Sequence, residues 1–145
     1  MAEICEETEK HIHYAKRFRT SEFKIRNQVD AISHATCGMA IDIGAKAIVV
    51  CSLSGGTVRM ISRFRAPMDI LGLTTSEHAM RRLSLSWGVT PALSETQTST
   101  DVLFYVAKQK AKEMLHLQPG DRIVITGGLP NATSGNTNLI KVEVI

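Results

Sequence analysis

The chain has 145 residues, a formal net charge of +3, 43% hydrophobic residues and 21% charged residues. This length fits one domain with a real hydrophobic core, and the composition excludes a disordered chain. The small charge argues against a nucleic-acid partner, and no apolar run approaches the roughly 20 residues that span a bilayer. We therefore predict a cytoplasmic protein without a nucleic-acid or membrane partner, and we interpret the basic stretch at residues 16–26 as a solvated linker.

Two helices and a buried strand are predicted in the first third of the chain. Residues 2–16 carry a modest apolar stripe typical of a helix, and residues 17–27 form a polar, basic connector. Apolar side chains at helical spacing predict a second helix over residues 29–43, which Gly44 ends. The continuous apolar run at residues 47–51 follows directly and is typical of a buried parallel strand.

Helices and strands continue to alternate after this run. Helices are predicted at residues 57–64, 76–84 and 101–115. Strands are predicted at residues 69–74, 87–93, 122–126 and 139–145. The alternation predicts a mainly parallel sheet with helices on both faces. The last strand follows its neighbour without a helix, so it is predicted to run antiparallel at an edge, with Lys141 and Glu143 on a solvent-facing side.

A loop rich in hydroxyls and glycines joins the first predicted strand to the next helix. It consists of Ser52, Leu53, Ser54, Gly55, Gly56 and Thr57. Three hydroxyls, two glycine N–H groups and the positive end of a helix dipole around one point suit a phosphate. The loop matches neither GxxxxGK[ST] nor GxGxxG. The same residues would also serve simply to cap the helix, and both interpretations stay open here.

A second glycine-rich loop follows the fourth predicted strand. The residues we assign to it as a ligand-covering loop are Gly127, Gly128, Leu129, Pro130, Asn131, Gly135, Asn136 and Thr137. Loops beyond the carboxyl ends of parallel strands gather at one edge of the sheet, where ligands bind. This loop and residues 52–57 could therefore face each other across a ligand site. The alternative is that the second loop only connects two strands.

The other reactive side chains give no catalytic or metal constellation. Cys5, Cys37 and Cys51 lie in regular apolar segments and are predicted to be buried or half-buried free thiols. His34 is predicted to have a hydrogen-bonded structural role, and Trp87 is predicted to belong to the core. Without a nucleophile with its base, or a metal cluster, no catalytic residue and no metal ligand is assigned.

Several stretches resemble the C-terminal domain of pyruvate kinases. They are residues 30–36 (DAISHAT), 45–50 (AKAIVV), Ser54-Gly55 leading to 63–65 (RFR), 87–89 (WGV), 120–127 (GDRIVITG) and 137–142 (TNLIKV). They occur in the family's order over residues 28–145, while residues 1–16 look like the end of the last helix of the preceding catalytic barrel. The resemblance divides the chain into a barrel remnant with linker at 1–27 and a C-terminal domain at 28–145.

The resemblance implies a three-layer αβα sandwich with a five-stranded, mostly parallel sheet and an antiparallel edge strand. The complete enzymes transfer phosphate from phosphoenolpyruvate to ADP with Mg²⁺ and often K⁺. Their catalytic groups belong to the barrel, so this chain is expected to need no cofactor and to be inactive alone.

Pyruvate kinases bind a phosphorylated allosteric effector in this domain. The resemblance implies that residues 52–57 bind its phosphate and that the loop at 127–137 covers it. The long loop lacks basic residues for a second phosphate, so a single-phosphate effector such as AMP or ribose 5-phosphate is favoured over a bisphosphate. The resemblance also implies a homodimer through the edge strand at 139–145. A purely structural, oligomer-forming domain is the alternative, and a free-standing enzyme has no catalytic group to support it.

Overall fold

The computed structural model describes residues 1–128 and 136–145, which contain six helices and five strands. The helices are α1 (Ala2–Glu9), α2 (Tyr14–Thr20), α3 (Gln28–Asp42), α4 (Gly56–Arg63), α5 (Glu77–Leu83) and α6 (Thr100–Met114). The strands are β1 (Ala47–Cys51), β2 (Asp69–Thr74), β3 (Val89–Leu93), β4 (Arg122–Gly127) and β5 (Leu139–Val144). Among the described helices, none is long and apolar enough to cross a membrane.

The five strands form one sheet in the order β3-β2-β1-β4-β5. The first four strands run parallel to one another, and β5 pairs antiparallel with β4 at the edge. A helix connects each of the first four strands to the next, so β1 to β4 run parallel, whereas β5 follows β4 without a described helix and runs antiparallel to it. The predicted α/β fold class, a mostly parallel five-stranded sheet with an antiparallel edge strand, is confirmed.

Side chains alternate across β1 and bury both faces of the sheet. Ile48 and Val50 pack in a cluster with α3, α4 and α5. Ala47 and Val49 pack in a second cluster with Ala107 and Ala111 of α6. The run at residues 47–51 is continuously apolar because helices cover both faces of the sheet at this strand.

The N-terminal segment differs from its prediction. Instead of one helix over residues 2–16, two helices form with a break at residues 10–13. Helix α1 buries none of its residues, and Ile4 of its apolar stripe is 64% exposed. Phe18 of α2 is instead 6% exposed and packs into the core, so part of the predicted connector is helical. The buried Phe18 side chain thus anchors α2, and not α1, in the core.

Trp87 and Cys5 also differ from their predictions. Trp87 is half-buried and lies outside both core clusters, and its ring packs against the Tyr14 ring in a tilted arrangement with 5.0 Å between centroids. Its Nε1 donates to Glu9 at 2.9 Å, and the Arg65 guanidinium lies 4.8 Å from the ring centroid. Cys5 is exposed on α1, whereas Cys37 is buried and Cys51 is half-buried. Trp87 therefore joins the N-terminal helices to the domain.

The edge strand β5 reverses the predicted exposure of its two faces. Lys141 and Glu143 were expected in solvent, but Lys141 lies 4.3 Å from the Phe104 ring centroid and Glu143 lies 3.9 Å from Lys108. Val142 and Val144 are instead 42% and 49% exposed. The charged side chains lean along the flank of α6, which leaves the apolar face of the strand uncovered.

Candidate functional site

The loop at residues 52–57 leads the chain from the buried strand β1 into α4. Gly55 is the N-cap residue and has a left-handed backbone with φ +74°. The Gly55 N–H donates to the Ser52 hydroxyl at 3.1 Å. Two groups that the sequence assigned to a phosphate are thus paired with each other. This bond uses the Gly55 N–H within the turn, whereas the Ser52 hydroxyl is the acceptor and keeps its own O–H to donate.

The N-terminus of α4 begins without a side-chain cap within the described part of the chain. Its first backbone hydrogen bond runs from the Arg59 N–H to the Gly55 carbonyl at 3.2 Å. The N–H groups of Gly56 and Thr57 precede that bond, so the helix itself provides no acceptor for them. Ser54 is exposed beside them, with its hydroxyl 3.5 Å from where a Cβ on Gly56 would lie. The hydroxyl of Ser52 thus forms the turn that precedes the helix, and no side chain among the described residues caps the N–H groups of Gly56 and Thr57.

Thr57 and Thr137 bring the two predicted loops together. Their hydroxyl oxygens are 2.6 Å apart, and both residues are buried. The Gln28 amide nitrogen donates to the Thr137 carbonyl at 3.2 Å, which ties the start of α3 to the same point. The Thr57 hydroxyl, predicted as a phosphate ligand, already has this buried partner. Sequence spacing could not show a bond between residues 80 positions apart.

Gly127 and Gly128 carry the second loop away from β4. Gly127 pairs with Cys51 in the sheet, and a Cβ on it would lie 3.0 Å from the Cys51 carbonyl oxygen. A Cβ on Gly128 would lie 2.8 Å from the Asn136 carbonyl oxygen, so both positions leave no room for a side chain. The other residues assigned to this loop lie outside the described residues: Leu129, Pro130, Asn131 and Gly135.

The topology of the sheet places this junction at a crevice. The crossover from β1 through α4 leads to β2 on one side, and the crossover through α6 returns to β4 on the other side. In open α/β sheets, ligands bind where neighbouring strands lead in opposite directions beyond their carboxyl ends. Residues 52–57 follow β1 and residues 127–128 end β4, so both loops border this crevice.

A basic groove beside the loop was missed from the sequence. It holds about 270 Å³ between the start of α3 and α4, and its charged lining residues are Arg26, Asp30, Arg59 and Arg63. It also reaches the 52–57 loop through Ser54, Gly56 and Thr57. Arg59 and Arg63 are four residues apart on α4, which was a signal in the sequence. Their juxtaposition with Arg26 depends on how α3 packs on α4, which spacing alone does not give.

The remaining candidate groups are structural. Burial raises the pKa of the Cys37 thiol and of the Cys51 thiol to about 12, so both stay protonated and unreactive near neutral pH. The His34 ring stacks on Phe18 at 4.7 Å between centroids, a packing contact where we predicted a hydrogen bond. Across residues 1–128 and 136–145, no three His, Cys, Asp or Glu side chains are placed to hold a metal ion.

Comparison with known proteins agrees with this architecture. A family model described as "Pyruvate kinase, alpha/beta domain" matches residues 30–143. The chain is 39% identical over 147 residues to pyruvate kinase of Clostridium acetobutylicum, covering 100% of this chain and 31% of that protein. It is 37% identical over 127 residues to pyruvate kinase of Lactobacillus delbrueckii subsp. bulgaricus, covering 88% of this chain and 22% of that protein.

A third relative extends the comparison to another genus. Pyruvate kinase of Staphylococcus aureus is 38% identical over 117 residues, covering 81% of this chain and 20% of that protein. The chain thus spans less than a third of the length of these curated relatives. Since the family model covers most of the chain and matches the five-stranded fold, the chain belongs to the pyruvate kinase α/β domain family.

Proposed function

We propose that this chain is a regulatory C-terminal domain of a pyruvate kinase-like protein and binds a phosphorylated effector at residues 52–57. The observation that carries the proposal is the uncapped N-terminus of α4 at the crevice between β1 and β4. The N–H groups of Gly56 and Thr57 and the hydroxyl of Ser54 are the donors that a phosphate would meet there. The positive end of the helix dipole favours the anion further.

The affinity that such a site allows follows from its donors. The helix dipole contributes about 0.3–1 kcal/mol, and each charge-assisted hydrogen bond contributes about 1.5–3 kcal/mol before desolvation. Ser52 and Gly55 are paired with each other, and Thr57 Oγ1 is paired with Thr137, so these groups hold the loop in shape. Because the loop is already ordered, ligand binding costs little further conformational entropy there.

The rest of the proposal concerns the longer protein. The relatives are named pyruvate kinase, and we propose that the parent of this domain is a cytoplasmic enzyme that transfers phosphate from phosphoenolpyruvate to ADP, with Mg²⁺ and K⁺ bound outside this chain. In that arrangement the domain contributes regulation and contacts between subunits, whereas the chemistry belongs to the catalytic barrel.

A second role, contact between copies of the chain, is favoured by β5. Within the described residues this strand pairs only with β4, and the side chains of Val142 and Val144 are largely exposed. An edge strand with free backbone groups and an apolar face is a template for pairing with another strand. We propose that β5 of a second copy covers it and forms a homodimer.

The phosphate site is best tested at Ser54. Thr57 is unsuitable because it is buried, and a carboxylate there would disturb the fold. Ser54→Glu places a carboxylate beside the N–H groups of Gly56 and Thr57, and like-charge repulsion is expected to weaken phosphate binding at least about tenfold. Ser54→Gln has nearly the same size without the charge, and Ser84→Glu adds the same charge at the exposed end of α5.

Calorimetric titration of AMP, ribose 5-phosphate and fructose 1,6-bisphosphate into these proteins provides the measurement. We expect at least one of the three to bind the wild type, Ser54→Gln and Ser84→Glu, and Ser54→Glu alone to lose it. If none binds the wild type, or if Ser54→Glu binds equally well, the loop has only a structural role. Circular dichroism of each variant establishes that the fold is retained.

A further inference from the structure

Thr74 is the last residue of β2 and is 1% exposed. Its hydroxyl donates to the Leu53 carbonyl, in the 52–57 loop, at 2.8 Å. The same hydroxyl accepts the backbone N–H of Ser76, the N-cap residue of α5, at 3.3 Å. One buried hydroxyl on β2 thus joins the proposed phosphate loop to the start of a neighbouring helix.

The peptide between Leu53 and Ser54 depends on this hydrogen bond for its position. The Leu53 side chain is 47% exposed and Ser54 is also exposed, so packing does little to hold this part of the loop. The other hydrogen bonds that the structure describes for the loop involve Ser52, Gly55 and Thr57. Within residues 1–128 and 136–145, the Thr74 hydroxyl is therefore the one hydrogen-bond partner of the Leu53–Ser54 peptide.

The direction of the Ser54 N–H follows from the planarity of this peptide. In a trans peptide the C=O and the N–H point in opposite directions. Because the Leu53 carbonyl points to Thr74, the Ser54 N–H points away from the end of β2, and it has no acceptor among the described residues. The Ser54 hydroxyl, one of the proposed phosphate donors, extends from the same fixed backbone.

Thr74 is itself held in place on both sides of its strand. The Ser94 N–H donates to the Thr74 carbonyl at 2.9 Å, after the end of β3. The Ser52 N–H donates to the Leu73 carbonyl at 2.9 Å, after the end of β1. A residue that orients a binding loop does so more precisely from a rigid strand than from another loop.

We propose that Thr74 is a positioning residue for the phosphate loop. The proposal rests on the proposed function: Thr74 does not touch the ligand, and its hydroxyl holds the Leu53–Ser54 peptide so that the Ser54 donors already face the anion. Donors that are in place before binding cost less conformational entropy when the ligand arrives. The site therefore needs a hydroxyl at position 74, and an apolar side chain of the same size does not replace it.

Thr74→Val and Thr74→Ser separate the hydroxyl from the rest of the side chain. Valine keeps the shape and removes the hydrogen bonds, whereas serine keeps the hydroxyl and leaves a small cavity in place of the methyl group. AMP, ribose 5-phosphate and fructose 1,6-bisphosphate are titrated into each full-length variant by calorimetry. We expect Thr74→Val to bind roughly tenfold more weakly, which is the worth of one charge-assisted hydrogen bond. Thr74→Ser is expected to bind almost as the wild type does, although urea unfolding shows it to be less stable.

Thr126→Val is the matched control. Thr126 is fully buried on β4, and its hydroxyl donates to the Leu139 carbonyl of β5 at 2.9 Å, so this variant loses a similar bond outside the 52–57 loop. It is expected to lose stability and to keep the wild-type affinity. Thr74→Cys gives a second test that does not require the valine variant to fold: its thiol is a weak donor, so its affinity is expected between those of serine and valine.

NMR relaxation of the backbone amides provides a measurement without ligand. The Ser54 N–H is expected to be more mobile in Thr74→Val than in the wild type, Thr74→Ser or Thr126→Val. If Thr74→Val binds as tightly as the wild type, or if Thr126→Val loses the same affinity, Thr74 is not a positioning residue and the phosphate loop still stands. If the wild type binds none of the three compounds, the proposed function fails, and the amide mobility alone decides whether Thr74 orders the loop. Unchanged mobility of Ser54 in Thr74→Val would overturn that role.

Discussion

At the scale of single residues, Gly55 decides how β1 turns into α4. Its φ is +74°, and a Cβ there would lie 3.2 Å from three carbons of Leu83. Left-handed backbone costs a residue with a side chain roughly 1–2 kcal/mol, so Gly55→Ala is expected to lower the free energy of unfolding by about that amount. Gly56→Ala is the control, because Gly56 is helical and its nearest neighbour is an ordinary contact at 3.5 Å.

Urea unfolding of the two glycine variants measures this difference. Gly56→Ala is expected to leave stability unchanged or to raise it slightly, since alanine is the better helix former. Equal stability of the Gly55→Ala and Gly56→Ala proteins would show that the turn adapts without strain.

A second residue-scale prediction concerns Cys37 and pH. Its thiol is buried, lies 3.9 Å from the Ile61 carbonyl oxygen and has its pKa raised from 9.0 to about 12. Above pH 9 the unfolded thiol loses a proton that the folded one keeps, so stability falls as pH rises through that window. At pH 10 this loss is about 1.4 kcal/mol relative to pH 8.

The Cys37→Ala protein isolates this effect. Its urea stability at pH 8 is expected to be lower because a small cavity remains, but its drop from pH 8 to pH 10 is expected to be about 1.4 kcal/mol smaller than that of the wild type. Identical drops in the two proteins would contradict ionisation of this thiol as the cause.

Residue roles inside the loop were only partly predictable. Hydroxyl and glycine spacing indicated a place where donors gather, and the structure does gather them there. The pairing of Ser52 with Gly55 and of Thr57 with Thr137 was not predictable, because each bond removes a donor through local geometry or through a partner far along the chain. The sequence shows which hydrogen-bond donors the loop contains, whereas the fold determines which of them already have a partner within the protein.

At the scale of elements, the two N-terminal helices have unequal roles. Phe18 of α2 contacts the rings of Phe23, His34 and Phe64, whereas α1 buries no residue. Truncating a buried phenylalanine costs about 3–5 kcal/mol, so Phe18→Ala is expected to be severely destabilised. Ile4→Ala is expected to change stability by less than about 0.5 kcal/mol, since its side chain is exposed.

Thermal unfolding followed by circular dichroism compares the two variants. A Phe18→Ala protein as stable as Ile4→Ala would show that α2 is not part of the folded core. The division at residue 27 that we predicted from the resemblance remains a prediction, and Phe18 shows that some core packing comes from the N-terminal side of that position.

Element boundaries were predictable where turn residues enclose an apolar run. β1 and β2 have the bounds predicted for them, because Gly44, the 52–56 turn and Pro67 enclose their apolar runs. The single N-terminal helix was wrong because its apolar stripe was modest, and α1 buries none of its residues. The basic groove was missed because it belongs to the packing of two helices, and no single segment contains its pattern.

At the scale of the whole molecule, the exposed edge strand predicts self-association. Val142→Lys places a charge on the apolar face of β5 and is expected to abolish a dimer that forms through this strand. Val102→Lys makes the same change at an exposed valine on α6 and is expected to leave the dimer intact. Sedimentation equilibrium at micromolar to high micromolar concentration measures both, and a wild-type protein that is monomeric throughout that range would contradict the prediction.

The pairing of β1 with β4 sets the order in which the molecule can assemble. About 70 residues separate these two strands, which include β2, β3 and three helices, and the cost of closing a chain segment grows with its length. Local units such as β1-α4-β2 therefore can form before β4 docks beside β1. The Thr57–Thr137 contact and the crevice between the loops require that β4 has docked beside β1. A ligand that contacts both loops would thus bind only chains in which β1 and β4 are paired, so its binding would report the formation of this long-range strand pair.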